Sequence, residues 1–575
     1  MKIFIQFWLF LDRKQKFFFL IIVLLSSIQT ILEMMGIAAA IPFVTYLLKP
    51  ESFSELTFIS NFVNLDFVVS KNLIVYFCLV FFSIFLIKNM VIILTNKIIF
   101  DFIFSFRSKL FSTLLNNILN QEYLFFVNTG MSKIFNDTFN EIQNFVFSVV
   151  RPIIKLVTEI LVSAGIFLLI VLLGNFDGLL LIIPMIILVA LILKRVNRSI
   201  KTWSKIRISS TEKIIETNYN LVNGIKEIIL FEKTKFIIER FNNALKSLKQ
   251  VDTNNNVISS FPKVLLEQTV ILIFITIIIL MHFQGQNNDK IIIILSFYLA
   301  AAYRLVPSMN LIFVSYQSLK FGKPSANRIM EYYNLKKENE IVNNESSNDA
   351  MKFHKNLELK NVNFSYRSDN RVLENCNINI NKNNIIGIFG ESGSGKSTFI
   401  NLLTSLITPN SGDILIDKQI VKSSNDFRKY KNLFSITSQD TFLIEGTIKD
   451  NILFGTNSEF SLEKMNKAIK FANLENVIDK LPDGIDSNIG STFKQLSSGQ
   501  KQRISIARSI YSERDILIFD EATNALDEDN ERIIFKNLKE LKQRKTIIII
   551  SHNKENLKIC DKIFEFKNKT LEEIL

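Results

Sequence analysis

Ile385-Ile386-Gly387-Ile388-Phe389-Gly390-Glu391-Ser392-Gly393-Ser394-Gly395-Lys396-Ser397-Thr398, running on into the apolar Phe399 to Leu403, decides the fold of one half of this chain. A β-rich run leads into a glycine-rich loop and then a helical run, and the loop reads G-x-x-x-x-G-K-[ST]. The glycines let successive backbone N–H groups curl around a β-phosphate, and the helix N-terminus adds a favourable dipole. From Gly390 through Thr398, with Glu391, Ser392, Gly393, Ser394 and Gly395 between, the segment is expected to cradle ATP. Lys396 is expected to reach the β- and γ-phosphates, and the Ser397 hydroxyl to ligate Mg²⁺.

Around this loop, short β-rich runs alternate with helical ones: Leu357 to Phe364, Ile516 to Phe519 and Thr546 to Ile550. That alternation predicts an α/β domain with buried parallel strands. Ile516-Leu517-Ile518-Phe519-Asp520-Glu521 is an apolar strand ending in two acids. Asp520 at its end can fix the Mg²⁺ water shell, and Glu521 can polarise an attacking water. Upstream, Lys336 to Glu340 and Asn343 to Asp349 are polar and charged, as in a solvated linker.

The first ~325 residues have another character. A bilayer span needs about 20 apolar residues, and runs of this kind fall at about 17–47, 68–100, 144–174, 178–194, 260–283 and 289–318. Six spans are expected, with a tight turn at Gly174 to Gly178 joining the third and fourth. The chain of 575 residues is 48% hydrophobic, carries 52 Phe, and has 67 Lys and Arg against 54 Asp and Glu, for a net charge of +13. Much of that excess lies between the fourth and fifth spans, from Lys194 to Arg240, while the opposite connections hold almost no cations. By the positive-inside rule both termini are expected on the cytoplasmic side, and a nucleic-acid partner is not expected. Phe4 to Leu11 reads as a short interfacial helix rather than a cleavable signal, and Phe53, Leu56, Ile59, Phe62 and Val63 as an amphipathic stretch on the outer side. Apolar periodicity through about 101–143 and 195–259 predicts helices that outrun the bilayer, reversing near Thr129-Gly130 and Val222 to Gly224. Cys78, Cys376 and Cys560 lie far apart with no CxxC, so disulfide and zinc frameworks are excluded.

Leu496-Ser497-Ser498-Gly499-Gln500, some twenty residues before Asp520-Glu521, resembles the signature motif of ABC transporter ATPases. The resemblance implies roles for further residues: Tyr366 stacking on adenine, Gln439 contacting Mg²⁺ and the membrane domain, Ala525-Leu526-Asp527 as the D-loop, and His552 contacting the γ-phosphate. Ser497, Gly499 and Gln500 would complete the nucleotide site of a second subunit. The chain departs from the family pattern twice. Ser498 stands where Gly is usual, with somewhat lower ATPase activity expected. Gly490 is followed by Ser491-Thr492-Phe493, without the usual acid.

The order of spans and ATPase resembles exporter-class half-transporters, and implies a membrane domain at 1–330, a linker at 331–352 and an ATP-binding domain at 353–575. A homodimer in a bacterial inner membrane is the simplest arrangement, and a heterodimer remains open. The membrane half also resembles bacterial flippases of lipid-linked oligosaccharides, through Glu33 and Ile41-Pro42-Phe43, Phe261-Pro262-Lys263 with Leu266-Glu267, and Tyr303 to Ser308. It implies that Lys88, Lys263 and Arg304 attract the pyrophosphate of such a cargo. Cations within apolar spans are costly and mark functional positions. Internal pairing with Glu33, Glu159 and Glu267 is the other reading, and drugs, phospholipid or lipid A, and peptides remain alternative cargoes. A peptide exporter with an N-terminal cysteine protease is disfavoured, because no Cys precedes Cys78.

Overall fold

Five of the six apolar stretches in the first half of the chain are ends of much longer helices, and the first begins in a helix of 26 residues. The structure is a computed structural model that describes residues 2–39, 43–45, 73–173, 179–285, 288–335, 351–367, 370–391, 393–456, 459–489 and 496–574. The outer stretch around Phe53 to Val63, the turn at 174–178, Ser392 and the segment Ser491 to Phe493 lie outside these residues. The chain divides into two units, one of Met1–Gln121 with Phe126–Glu338, the other of Glu122–Phe125 with Asn339–Leu575.

In the first unit, α1 (Lys2–Phe10) is followed by α2 (Arg13–Ala38) and α3 (Leu73–Leu119); the next helix, α4 (Tyr123–Thr129), divides between the two units after Phe125. Then come α5 (131–173), α6 (Leu179–Asn223), α7 (Ile225–Leu230), α8 (Thr234–Phe283) and α9 (Asn288–Asn334). The longest, α8, has 50 residues, about 75 Å at 1.5 Å per residue, against a hydrocarbon core of about 30 Å. Five helices among the described residues are long and apolar enough to cross a membrane: those at Arg13–Thr45, Cys78–Leu119, Met131–Leu172, Thr234–Phe283 and Ile291–Asn334. The expected span 178–194 falls at the start of α6, with Pro184 inside the helix.

Both expected reversals are present. Gly130 caps α5 at φ +81°, a backbone region open to glycine, and α6 stops at Asn223, before α7 and a turn lead into α8. In α1, Phe7 and Phe10 are buried while Ile5 and Leu9 are exposed, the two faces of an amphipathic helix. The packed core of this unit repeats at three- and four-residue steps: Val162, Ile166, Leu169 and Ile170 on α5 meet Leu266, Val270, Ile273 and Ile277 on α8, and Ala301, Ala302 and Leu305 on α9.

The second unit holds an antiparallel sheet ordered β2-β1-β4-β5 and a six-stranded sheet ordered β10-β9-β3-β8-β7-β6. The first comprises β1 (Asn356–Arg367), β2 (Asn370–Asn381), β4 (Ser411–Ile416) and β5 (Gln419–Ile420). The second comprises β3 (Ile385–Phe389), β6 (Phe434–Thr437), β7 (Ile516–Asp520), β8 (Thr546–Ile550), β9 (Lys562–Lys567) and β10 (Thr570–Glu573). Its strands from β9 to β6 are parallel. Ile386, Ile388, Ile516, Ile518, Ile548 and Ile550 join one apolar cluster, while Ile385, Leu517, Phe519, Ile547 and Ile549 join another. Alternation by two sends successive side chains to opposite faces, so a strand buried on both faces is apolar throughout.

Candidate nucleotide site and membrane cavity

Register brings the ATPase motifs to one edge. Ile388 pairs with Ile550, and Ile550 with Asp520, so the ends of β3, β8 and β7 lie in a single row. Past that row the chain enters the glycine-rich loop, Ser551-His552 and Glu521 respectively; Gln439 follows two residues after the end of the neighbouring β6 and is exposed. Two backbone bonds close the row: Ser551 N–H donates to Ile388 O at 3.1 Å and Glu521 N–H to Ile550 O at 3.0 Å. This is the carboxyl edge of a parallel sheet, where open α/β folds bind ligands.

The loop ends at Gly395, φ +111°, which caps α10 (Lys396–Leu403). Gly393 also has positive φ, +80°, with nothing within 4 Å of where a Cβ would stand. Lys396 Nζ donates to Gly390 O at 2.5 Å and Glu391 O at 2.7 Å, folding back over the loop. Ser394 Oγ is buried and, among the described residues, has no hydrogen-bond partner. A hydroxyl in that position suits a phosphate oxygen, because an unpaired buried polar group is costly. Ser397 is exposed at the helix start, and Thr398 Oγ1 lies 3.3 Å from the Tyr366 hydroxyl.

Asp520 and Glu521 are held differently. Burial, with Glu521 adding to it and Lys396 opposing, pushes the Asp520 carboxyl up to about 6. A cation there would relieve that cost, so Asp520 and the Ser397 hydroxyl fit a magnesium site, with Gln439 following the end of β6. Glu521 has φ +50°, unusual for a non-glycine residue. Its carboxylate accepts from Asn524 Nδ2 at 3.0 Å and lies 3.3 Å from His552 Nδ1, facing His552 across the end of the sheet.

The signature segment has a local structural role as well. Ser497 Oγ accepts from Gln500 N–H at 3.2 Å, and Gln500 Oε1 accepts from Ser497 N–H at 2.8 Å. This capping box starts α11 (Ser498–Tyr511) and contributes about 1 kcal/mol. A Cβ on Gly499 would stand 2.7 Å from Ala525 O, so only glycine allows the D-loop backbone this close. Gln502, buried on the same helix, was not legible as a site residue. It donates to Glu521 O at 3.2 Å and accepts from Ala525 N–H at 3.2 Å, tying the signature helix to the Glu521 turn. The only sequence signal for it is an amide on an otherwise apolar helix face.

In the membrane unit, Lys88 and Arg304 line one cavity of about 450 Å³ together with Glu33, Phe85 and Tyr303. Lys88 Nζ sits 4.4 Å from the Phe85 ring centroid, a cation–π contact. Arg304 is committed to acids: its Nε is 2.6 Å from Glu33 Oε2, and its Nη1 3.4 Å from Glu159 Oε2 and 2.8 Å from Ser308 Oγ. Lys263 is not among the residues lining this cavity; it is exposed and lies 3.9 Å from Glu267. Two of the three predicted cations thus share a cavity, and Arg304 is internally paired. Cys376 and Cys560 are buried free thiols, and Cys78 is an exposed one.

Residues 373–524 match the family model described as ABC transporter. The architecture is similar, with a TM-score of 0.77 and 18% identity over 97% of this chain and 94% of the other, to a bacterial Atm1-family ABC exporter solved with ATP bound. The fold is that of an ABC exporter. Among curated proteins, the chain is 35% identical over 271 residues, 47% of its own length and 46% of the relative's, to the uncharacterized ABC transporter ATP-binding protein YwjA of Bacillus subtilis (strain 168). It is 37% identical over 212 residues, 36% of its length and 35% of the relative's, to the ATP-dependent lipid A-core flippase of Ralstonia nicotianae (strain ATCC BAA-1114 / GMI1000). The matched stretch spans less than half the length of each of these relatives.

Proposed function

We propose that this chain is an ATP-driven export half-transporter of a bacterial inner membrane, working as a dimer with a second half-transporter, most simply another copy. The observation that carries this reading is the single row joining the glycine-rich loop, Asp520-Glu521 and His552 at the end of a sheet in an exporter fold. Lys396 leaves its carbonyl partners for the β- and γ-phosphates, and the loop N–H groups hold them in place. Glu521 takes a proton from the water that attacks the γ-phosphorus; the β–γ bridging P–O bond breaks, and its electrons leave with ADP. His552, beside Glu521, contacts the transferred phosphoryl group. Ser397, Gln439 and Asp520 would hold magnesium, which neutralises charge on the phosphates when bound. Tyr366 provides the stacking surface for adenine.

One feature supports the dimer. Around α7, Ile225, Ile229, Leu230 and Phe231 are exposed in the single chain, and an apolar cluster of that kind needs cover.

The cargo we assign is a lipid-linked oligosaccharide or related polyprenyl-pyrophosphate glycan. Its support is the cavity in which Lys88, among the described residues, stands without a carboxylate partner beside the Arg304 cluster, together with the similarity to the lipid A-core flippase. In proteoliposomes, ATP should drive inversion of a fluorescent undecaprenyl-pyrophosphate glycan and stimulate hydrolysis. Drug or phospholipid movement in its place would reassign the cargo, and ATP turnover without net movement of any of them would overturn the pump.

A further inference from the structure

A further cavity, of about 550 Å³, lies between α6 and α9. Arg198, Lys201 and Lys205 line it from α6, and Lys320, Lys323 and Asn327 from α9. Both sets are spaced i, i+3, i+7, so each forms a stripe on one helix face, and the stripes meet across the cavity. No carboxylate lines it, and among the described residues none of the five cations has an ion pair. Three other arginines of these two helices are paired: Arg207 with Glu141, Arg304 with Glu33 and Glu159, and Arg328 with Asp137 and Glu212. Five like charges around one space repel each other unless an anion enters.

Depth narrows the anion. The apolar run of α6 ends at Leu193, so Arg198 to Lys205 begin about 8 Å and end about 18 Å further along the helix. The polar head-group layer is about 5–8 Å deep on each side, so Arg198 stands at its outer edge on the basic side, where a diphosphate projecting from a lipid can reach, and Lys205 lies beyond it. The volume equals that of roughly 18 waters at about 30 Å³ each, more than a single phosphate needs. Lysines dominate, and they bind phosphate as mobile point charges without the fixed fork of arginine. Two opposed stripes suit an anion with two linked phosphates.

We propose that the cavity between α6 and α9 is a binding site for a lipid-borne diphosphate head group, separate from the Lys88–Arg304 cavity. Its use as a loading site for cargo rests on the transport reading; binding does not. The full chain carrying Lys396→Ala, which removes the competing phosphate loop, is placed in phosphatidylcholine nanodiscs without ATP. Lysine acetylation is then read residue by residue by mass spectrometry. Farnesyl diphosphate should protect Lys201, Lys205, Lys320 and Lys323 together at least about fivefold, inorganic pyrophosphate should do so at higher concentration, and phosphatidylglycerol should not. Lys201→Gln/Lys205→Gln and Lys320→Gln/Lys323→Gln should each weaken diphosphate binding at least about tenfold. In an otherwise unaltered chain they should leave basal ATP hydrolysis unchanged. No protection overturns the site, equal protection by phosphatidylglycerol overturns its diphosphate preference, and protection by pyrophosphate alone overturns a lipid source. Intact protection with no ATP-driven transport would instead sink only the transport reading.

Discussion

Glu521 carries the sharpest consequence at the residue scale. It sits at φ +50° with its side chain between Asn524 and His552, placing the carboxylate at the strand end without a role in the phosphate loop. Glu521→Gln keeps the shape and the Asn524 contact but removes the base. ATP affinity should stay within about twofold while turnover falls about 10²-fold or more, the range of a general base. A malachite-green phosphate assay beside a nucleotide titration checks both, and near-normal hydrolysis would remove Glu521 from the mechanism. Lys396→Ala acts earlier. Lys396 holds the loop carbonyls of Gly390 and Glu391 and is the one ammonium within the loop, so charge-assisted bonds to phosphate are lost. Fluorescent-nucleotide titration should show affinity lowered at least about tenfold; unchanged affinity would place the nucleotide elsewhere.

At the scale of elements, charge pairing fixes how the long helices pack. α5 contains two π-helical segments, and the first, Asn136–Glu141, buries Asp137 and Glu141 against Arg328 of α9 and Arg207 of α6. Arg304 of α9 binds Glu33 of α2 and Glu159 of α5 in the same way. Breaking a buried pair is costly because the partner keeps its charge without compensation, by about 3–5 kcal/mol. Arg304→Gln should therefore lower the unfolding midpoint in detergent markedly, and adding Glu33→Gln should recover much of the loss. Among the described residues no carboxylate pairs with Lys88, so Lys88→Gln should leave that midpoint unchanged while reducing glycan inversion. If Arg304→Gln is as stable as the parent, the cluster is not structural and Arg304 returns to the cargo path beside Lys88.

For the whole molecule, the exporter reading requires that one chain's signature segment serve the other chain's phosphate loop. Ser498 is exposed at the start of α11, outside the Ser497–Gln500 capping box, so Ser498→Arg should obstruct a facing nucleotide without undoing the helix. Co-reconstituted Lys396→Ala and Ser498→Arg chains then form mixed dimers with one intact composite site. Each variant alone should be nearly inactive, and the mixture should regain hydrolysis. A mixture as inactive as its components would mean that each chain builds its own site. Local order along the chain determined much of this protein. The loop Gly390–Thr398, the apolar strand before Asp520 and the helix periodicity were legible because each depends on neighbouring residues: glycine φ, alternation by two, steps of three and four. The long apolar runs announced membrane-crossing helices for the same reason, and periodicity through about 101–143 and 195–259 announced that α3, α6 and α8 outrun the bilayer, though not that α9 does. Tertiary structure alone decided which charges are spent. Arg304 meets acids 271 and 145 residues away, Gln502 ties Glu521 to Ala525, and the cations of α6 and α9 are left facing each other across a cavity. An ion pair is a relation of distance in space, and a cation in an apolar helix looks the same in sequence whether folding brings it an acid or leaves it open to a ligand.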